Sequence, residues 1–250
     1  MREDLRRAFE FVANGDMGGA RTEVSRFGLV VFDDELPLRY DSNYLLVEEL
    51  PDAVSADDLV EEARRLDRPA IMVRDEPTGE RLVPGVERLG WTIHRGLVMA
   101  HRRQPERTAA AGLVHEVDEA ALRPARRTQL AGEPWATPAP LVEQLLAAKL
   151  AIAQAMAARF FAVLVDGQVV SYVDLYCDGR TAQIEDLATL EEHRGRGYAS
   201  ALVLRALQEA RREGCDLVFL VADAQDWPKA LYRRLGFDEL GRYVKFIRPD

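Results

Sequence analysis

Residues Arg194-Gly195-Arg196-Gly197-Tyr198-Ala199 lie between an apolar run, Ile184 to Leu190, and a long amphipathic one, Tyr198 to Arg211. A strand therefore leads into a glycine turn that opens a helix. Such a turn presents unpaired backbone N–H groups at the positive end of the helix dipole, where an anion binds. Gly195 and Gly197 let a phosphate approach main chain that a Cβ would obstruct. Arg194 and Arg196 add positive charge. The stretch predicts a pyrophosphate cradle. It is neither a dinucleotide fingerprint, which needs three glycines, nor a P-loop, which needs Gly-Lys-Ser/Thr.

The spacing resembles the Arg/Gln-x-x-Gly-x-Gly/Ala signature of the GNAT superfamily of acetyl-CoA-dependent N-acetyltransferases, with Arg194, Gly197 and Ala199 at its defined positions. The preceding Ile184-Glu185-Asp186-Leu187-Ala188-Thr189-Leu190 resembles that family's fourth strand. Leu231-Tyr232-Arg233-Arg234-Leu235-Gly236-Phe237 resembles its second hallmark, a helix with Leu-Tyr ending at Gly-Phe. The resemblance covers roughly residues 112 to 250. It implies a mixed α/β (α+β) sheet flanked by helices, with acetyl-CoA as cosubstrate and no metal. Main-chain N–H groups from Arg194 to Ala199 would hold the pyrophosphate, and the main chain of Leu187, Ala188 and Thr189 would pair with the pantetheine arm, as a peptide adds to a strand edge. The fourth strand would splay from the fifth, read at Leu217 to Ala222.

Acetyl transfer to an amine requires a proton for the departing thiolate, and Tyr232 is the candidate acid. A phenol is protonated at neutral pH and a thiolate accepts from it. The plainer alternative is a tyrosine packed on the sheet. Glu185 would share a strand face with Leu187 and Thr189, leaving Asp186 opposite and structural. There Glu185 either takes the amine proton, binds a cationic acceptor, or pairs with a nearby arginine. Trp135, in the proline-rich loop Glu133 to Pro140, lies where the resemblance places acceptor selection. Asp226 reads as a helix N-cap ahead of Pro228. His193 reads as a solvated turn residue.

Stepping outward, the elements that hold these residues form the second of two similar halves. Glu62-Ala63-Arg64-Arg65 recurs as Glu209-Ala210-Arg211-Arg212, an offset of 147, and Arg88-Leu89-Gly90-Trp91 recurs as Arg234-Leu235-Gly236-Phe237, an offset of 146. Between these tags each half reads helix, apolar strand, helix, Gly-aromatic, strand; in the first half these are Ser55 to Leu66, Ala70 to Arg74, Leu82 to Leu89 and Trp91 to His101. The layout predicts a GNAT-like duplication, with residues 1–103 as a degenerate first domain, 104–112 as linker and 113–250 as the transferase domain. Where the first half should cradle phosphate it has Val47-Glu48-Glu49-Leu50-Pro51-Asp52-Ala53, without glycine, and Tyr232 maps to Val86. In the second half the pattern predicts a short strand at Leu113 to Val117, a helix opened by Asp118, a helix from Leu141 to Arg159, and a hairpin at Asp166-Gly167.

The 250 residues include 33 basic and 42 acidic side chains, a net charge of −9. That balance argues against general nucleic-acid or anionic-membrane binding. No apolar run reaches membrane-span length, and no signal core follows the N-terminal charges, so a cytoplasmic protein is expected. Cys177 and Cys215 form no C-x-x-C pair, and the four histidines lack metal-ligand spacing. The expected partner is a small-molecule or peptide amine, handled by a monomer or homodimer. The rival readings are a non-catalytic acyl-CoA-binding module and a structural partner whose first half supplies a dimer interface.

Overall fold

Two β-α-β units with parallel strands organise the chain. In a computed structural model that describes residues 3–16, 20–106, 111–133, 136 and 139–249, the order is α1 (Glu3–Asp16), β1 (Arg21–Val24), β2 (Leu29–Phe32), β3 (Tyr44–Val47), α2 (Ala56–Arg65), β4 (Ala70–Val73), α3 (Glu76–Arg88), β5 (Thr92–His101), β6 (His115–Val117), α4 (Glu119–Ala131), α5 (Ala139–Ala155), β7 (Arg159–Val165), β8 (Gln168–Cys177), β9 (Thr181–Thr189), α6 (Tyr198–Arg212), β10 (Leu217–Asp223), α7 (Pro228–Arg234) and β11 (Phe237–Ile247). Parallel β3 and β4 are joined by α2, and parallel β9 and β10 by α6. Each unit follows an antiparallel neighbour, β2 or β8.

All strands form one mixed sheet in the order β1-β2-β3-β4-β11-β5-β10-β9-β8-β7-β6. The last strand of each half is exchanged. β5 leaves the first half to pair with β10, and β11 leaves the second to pair with β4, while β5 and β11 pair antiparallel at the centre. Their register sets Gly96 opposite Tyr243, residues related by the repeat's own 147-residue offset. A pseudo-twofold axis therefore passes near this pair. A Cβ on Gly96 would stand 2.1 Å from the Tyr243 ring, so only glycine fits beneath that ring. The boundaries at 103 and 113 follow the repeat along the chain, whereas in space each half completes the other's sheet. Of the expected linker, residues 107–110 lie outside the described residues.

Local chemistry sets the element ends. Asp118 caps α4 by accepting from Ala121 N–H at 2.8 Å. The third helix starts at Glu76, earlier than the expected Leu82, because Asp75 accepts from Thr78 N–H and Pro77 suits the first turn. The fifth helix stops at Ala155, not Arg159. Ala157 turns left-handed (φ 48°) and Ala158 N–H donates to Ala153 at 2.9 Å, which ends the helix before β7. Asp166 and Gly167 both have positive φ, as the tight hairpin requires. One apolar core lies under α6, with Phe161, Val173, Ile184, Leu202 and Phe237; another lies under α2 and α3, with Leu45, Leu59, Ile71 and Val86. Among the described residues no helix is long and apolar enough to cross a membrane.

Candidate active site

The N-terminus of α6 is open. Gly197 is its N-cap with φ 81°, Gly195 has φ 76°, and no side chain caps the helix. A Cβ at either glycine would meet no protein atom within 4 Å. The cradle is thus free of protein, and the first-turn N–H groups of Tyr198 and Ala199 have no partner within the helix. Arg194 donates to Thr189 C=O at 3.2 Å and Arg196 to Glu192 C=O at 3.3 Å, which holds both guanidinium groups beside the loop. The equivalent end of α2 is closed. Ser55 Oγ accepts from Asp58 N–H at 3.2 Å and Asp58 accepts from Ser55 N–H at 3.0 Å, a capping box that uses the donors an anion would need.

Ahead of the cradle, β9 pairs with β10 only from Thr181–Gln183 to Leu217–Phe219. Beyond that the strands diverge, and the β10-facing edge of Ile184 to Thr189 borders a slot. A bulge sits at its mouth. Tyr172 opposes Ala188 and Asp174 opposes Glu185, so Asp186 and Leu187 face the single residue Val173. Asp186 adopts φ 55°. The extra residue overturns the expected strand periodicity. Leu187 packs toward the α6-side core, while Glu185 points to the face covered by α1 and α5. Asp186 reaches that same face, because both carboxylates contact Lys149. Thr189 Oγ1 lies 2.7 Å from Ser171 Oγ, which itself donates to Ala188 C=O at 2.8 Å.

Tyr232, on α7, packs edge-on against Phe237 with ring centroids 6.4 Å apart. Burial, then the negative charges of Glu185 and Asp226, push its phenol up to about 12. Glu185 accepts from Gln183 Nε2 at 2.8 Å and lies 3.6 Å from Lys149 Nζ, so the basic residue beside it is a lysine and not the expected arginine. Asp226 is not the N-cap of α7: Trp227 takes that position, and Asp226 accepts from Trp227 N–H at 2.7 Å. His193 is half-buried rather than solvated, its side chain 19% exposed. Trp135 lies outside the described residues.

No motif in the sequence points to the charges behind Glu185. Arg126 is buried between Asp174 at 2.6 Å and Asp186 at 2.8 Å, and Tyr176 donates to Asp174 at 3.0 Å. Burial and the Asp186 charge push the Asp174 carboxyl up to about 7 against the pull of Arg126. Burial would also raise Asp186, but Lys149 and Arg126 hold it below the ordinary carboxylate value. In front of Glu185 lies a cavity of about 260 Å³ that Arg39, Asp41, Lys149 and Lys245 also line. One signal was available: the chain has only three lysines among 33 basic residues, and Lys149 sits in an otherwise apolar helix face. Among the described residues no group of side chains is arranged to hold a metal ion.

The acetyltransferase (GNAT) family matches residues 120–237. No curated protein matches the sequence. Among solved structures, a GCN5-related N-acetyltransferase from Kribbella flavida superposes with a TM-score of 0.66 at 20% identity, covering 100% of this chain and 97% of that one. A functionally unknown conserved protein from Staphylococcus epidermidis gives 0.66 at 16% identity, over 92% and 94%. A tandem GNAT protein from the clavulanic acid biosynthesis pathway gives 0.55 at 17% identity, over 87% and 77%. These likenesses establish the fold. The family match spans the stretch that carries the open α6 terminus, the bulged β9 and Tyr232, and residues 120–237 are a GNAT-family acyltransferase domain.

Proposed function

We propose that the protein transfers the acetyl group of acetyl-CoA to a primary amine on a small molecule or peptide by direct attack, with no acyl-enzyme intermediate. The observation that carries this reading is the uncapped, glycine-bounded N-terminus of α6 at the head of the slot between β9 and β10. The main chain from Arg194 to Ala199 would hold the pyrophosphate, and the open edge at Leu187, Ala188 and Thr189 would receive the pantetheine amides. Acetyl-CoA supplies an activated carbonyl and a thiolate leaving group.

The protein's own groups then divide the proton work. Glu185 faces the cavity and takes a proton from the incoming amine. Tyr232 keeps its proton at any physiological pH, since its phenol is pushed up to about 12. Full transfer from such a phenol to a thiolate of ordinary pKa, about 8.5, is uphill by roughly 5 kcal/mol. Tyr232 therefore acts chiefly as a hydrogen-bond donor that steadies charge growing on sulfur, with net protonation completed by the proton released from the amine. The bulge at Asp186 turns the Leu187 N–H out of the ladder, a donor suited to the thioester carbonyl oxygen.

Acetyl-CoA and an amine acceptor as the only partners, in a monomer or homodimer away from nucleic acid and membrane, complete the proposal. Thiol release from acetyl-CoA across an amine panel, with mass analysis of the acceptor, tests it. A product heavier by one acetyl group supports transfer. Tight coenzyme binding without acetylation of any amine would instead favour the non-catalytic acyl-CoA module.

A further inference from the structure

Resting on that transfer reading, we infer that Tyr243 selects the acceptor: its ring ends a cavity that takes the uncharged, apolar body of a small primary amine, and so sets how long that body can be.

The coenzyme slot opens on this cavity. Glu185 of β9 and Val221 of β10, from the strands on either side of the slot, both line it. An amine presented to the thioester would therefore lay the rest of its body there. One wall is apolar, with Phe11, Val12, Met72, Leu145, Ile152 and Met156 from α1, β4 and α5. The charges on the rest of the wall are matched among themselves. Lys149 lies 3.6 Å from Glu185 and 3.3 Å from Asp186. Lys245 pairs with Asp41, and Arg39, itself engaged, also acts on Asp41. Arg39, Lys149 and Lys245 thus stand against Asp41, Glu185 and Asp186, and no charge is left over to recruit a charged group on the acceptor. What remains to hold it is apolar burial and shape, within about 260 Å³.

Tyr243 stands where this cavity ends. Its ring also borders a second cavity of about 260 Å³, lined by His94, Arg95 and Asp223, and a void of about 30 Å³ among Phe9, Ala13 and Tyr44. Val221 borders all three as well, but the aromatic ring is the bulkier divider. The ring is held in place. A Cβ on Gly96 would stand 2.1 Å from both Cε1 and Cζ, and Phe9 meets the ring edge-on with centroids 5.9 Å apart. A ring packed this closely is a fixed wall. Shortening the side chain at position 243 would add the ring's own volume and the small void to the cavity. Because Tyr243 and Gly96 belong to the two exchanged strands, the limit is built where the halves meet.

The test runs unbranched alkylamines, from propylamine to decylamine, on the full-length protein. Calorimetry with coenzyme A present reads binding, and thiol release from acetyl-CoA reads transfer. In the wild type, affinity is expected to rise about fourfold per methylene while the chain is being buried, and to stop rising at one length. Tyr243→Ala should carry the rise further, so that the first amines past the wild-type limit bind about tenfold or more tightly than they do to the wild type. Tyr243→Phe keeps the ring and should keep the wild-type limit; Tyr243→Leu replaces Tyr243→Ala should the latter not fold. An unmoved limit in a folded truncation, a limit that also moves in Tyr243→Phe, affinity that ignores length or never levels off, or no binding of any alkylamine would overturn the inference. A limit that moves in binding while no amine is acetylated would uphold the cavity assignment and sink the transfer reading. Acetylation with an unmoved limit would do the reverse.

Discussion

Arg126 Nε lies 2.8 Å from Asp186 Oδ2, and Asp186 is the left-handed residue (φ 55°) that makes the β9 bulge. The guanidinium is almost wholly buried, so its position is fixed by Asp174 on one side and Asp186 on the other. A non-glycine residue held left-handed costs roughly 1–2 kcal/mol. Here the buried ion pair and the Lys149 contact offset that cost and lock the bulge that shapes the slot.

Removing the cation should be severe. Arg126→Met leaves Asp174 buried without its counter-charge and Asp186 with Lys149 alone, a loss of about 3–5 kcal/mol, read from urea unfolding. Asp186→Gly should be more stable than Asp186→Ala by about 1 kcal/mol, since glycine accepts the left-handed conformation. Equal stability of the two Asp186 variants would show that the bulge had relaxed and carries no strain.

Gly197→Ala should weaken acetyl-CoA binding by about tenfold or more, because the added methyl projects into the space kept for pyrophosphate. Positive φ makes any such variant strained, so a matched control is needed. Gly179 has φ 83° and equally open surroundings in the β8–β9 hairpin. Gly179→Ala should show similar strain in thermal melts and unchanged coenzyme affinity. Equal losses of affinity in both variants would assign the effect to strain and remove the cradle.

Tyr232→Phe should lower kcat by about 10² to 10⁴ and leave acetyl-CoA affinity within about twofold, since the hydroxyl acts as charge develops on sulfur. Burial and the charges of Glu185 and Asp226 raise the phenol to about 12. The protonated, active form therefore persists well above neutrality, and the kcat–pH profile should show no alkaline loss below about pH 10. A descending limb near pH 8 that vanishes in the variant would contradict that environment.

The parts of the fold legible in the sequence were those whose signal is local. The Gly195–Gly197 turn, the Asp118 cap and the Asp166-Gly167 hairpin each depend on residues within one turn, and each was found. The duplication was also legible, from two tags at nearly one offset. Strand exchange was not, because β5 and β11 carry the same apolar pattern whichever neighbour they pair with. The first fifty residues carry little signal: β1, β2 and β3 are four residues each, and α1 packs on α5, β9 and β11, far along the chain. At the site, Glu185 and Tyr232 were readable from motifs. The bulge that moves Glu185 to the opposite face from Leu187 was invisible, since a left-handed aspartate has no glycine to announce it. Lys245, Arg39 and Asp41 converge only through the exchange.

Glu185→Gln separates its two roles. Lys149 already stands beside Glu185, where the ammonium of a cationic acceptor would have to sit, which argues for proton removal over cation binding. We expect kcat to fall by about 10² at neutral pH and to recover partly as pH rises, where the amine loses its proton unaided. A rise in acceptor KM with kcat intact would show acceptor binding instead. No change in either would leave Glu185 a structural carboxylate.

The exchanged strands make each half depend on the other. β10 pairs with β5 from Gly96 to Ala100, and β11 pairs with β5 from Phe237 to Ile247 and with β4 from Val244 to Ile247. A fragment of residues 111–250 loses β5, which exposes the β10 edge beside the slot and parts β10 from β11. Phe237 and His101, whose rings meet edge-on at 5.4 Å, are separated as well. Gly236 adds a second tie. Its carbonyl accepts from both Arg102 and Arg103 N–H, and a Cβ there would stand 2.0 Å from Arg103 C=O. The 111–250 fragment alone should therefore fail to bind acetyl-CoA, although it contains the whole cradle. Co-expression with residues 1–106 should restore binding, because the cut falls between strands rather than within one. Circular dichroism and calorimetry on the separate and paired fragments decide the matter. A well-folded, monomeric 111–250 fragment with full-length coenzyme affinity would show that β11 can close on β10 unaided, and the exchange would then have no part in holding the site.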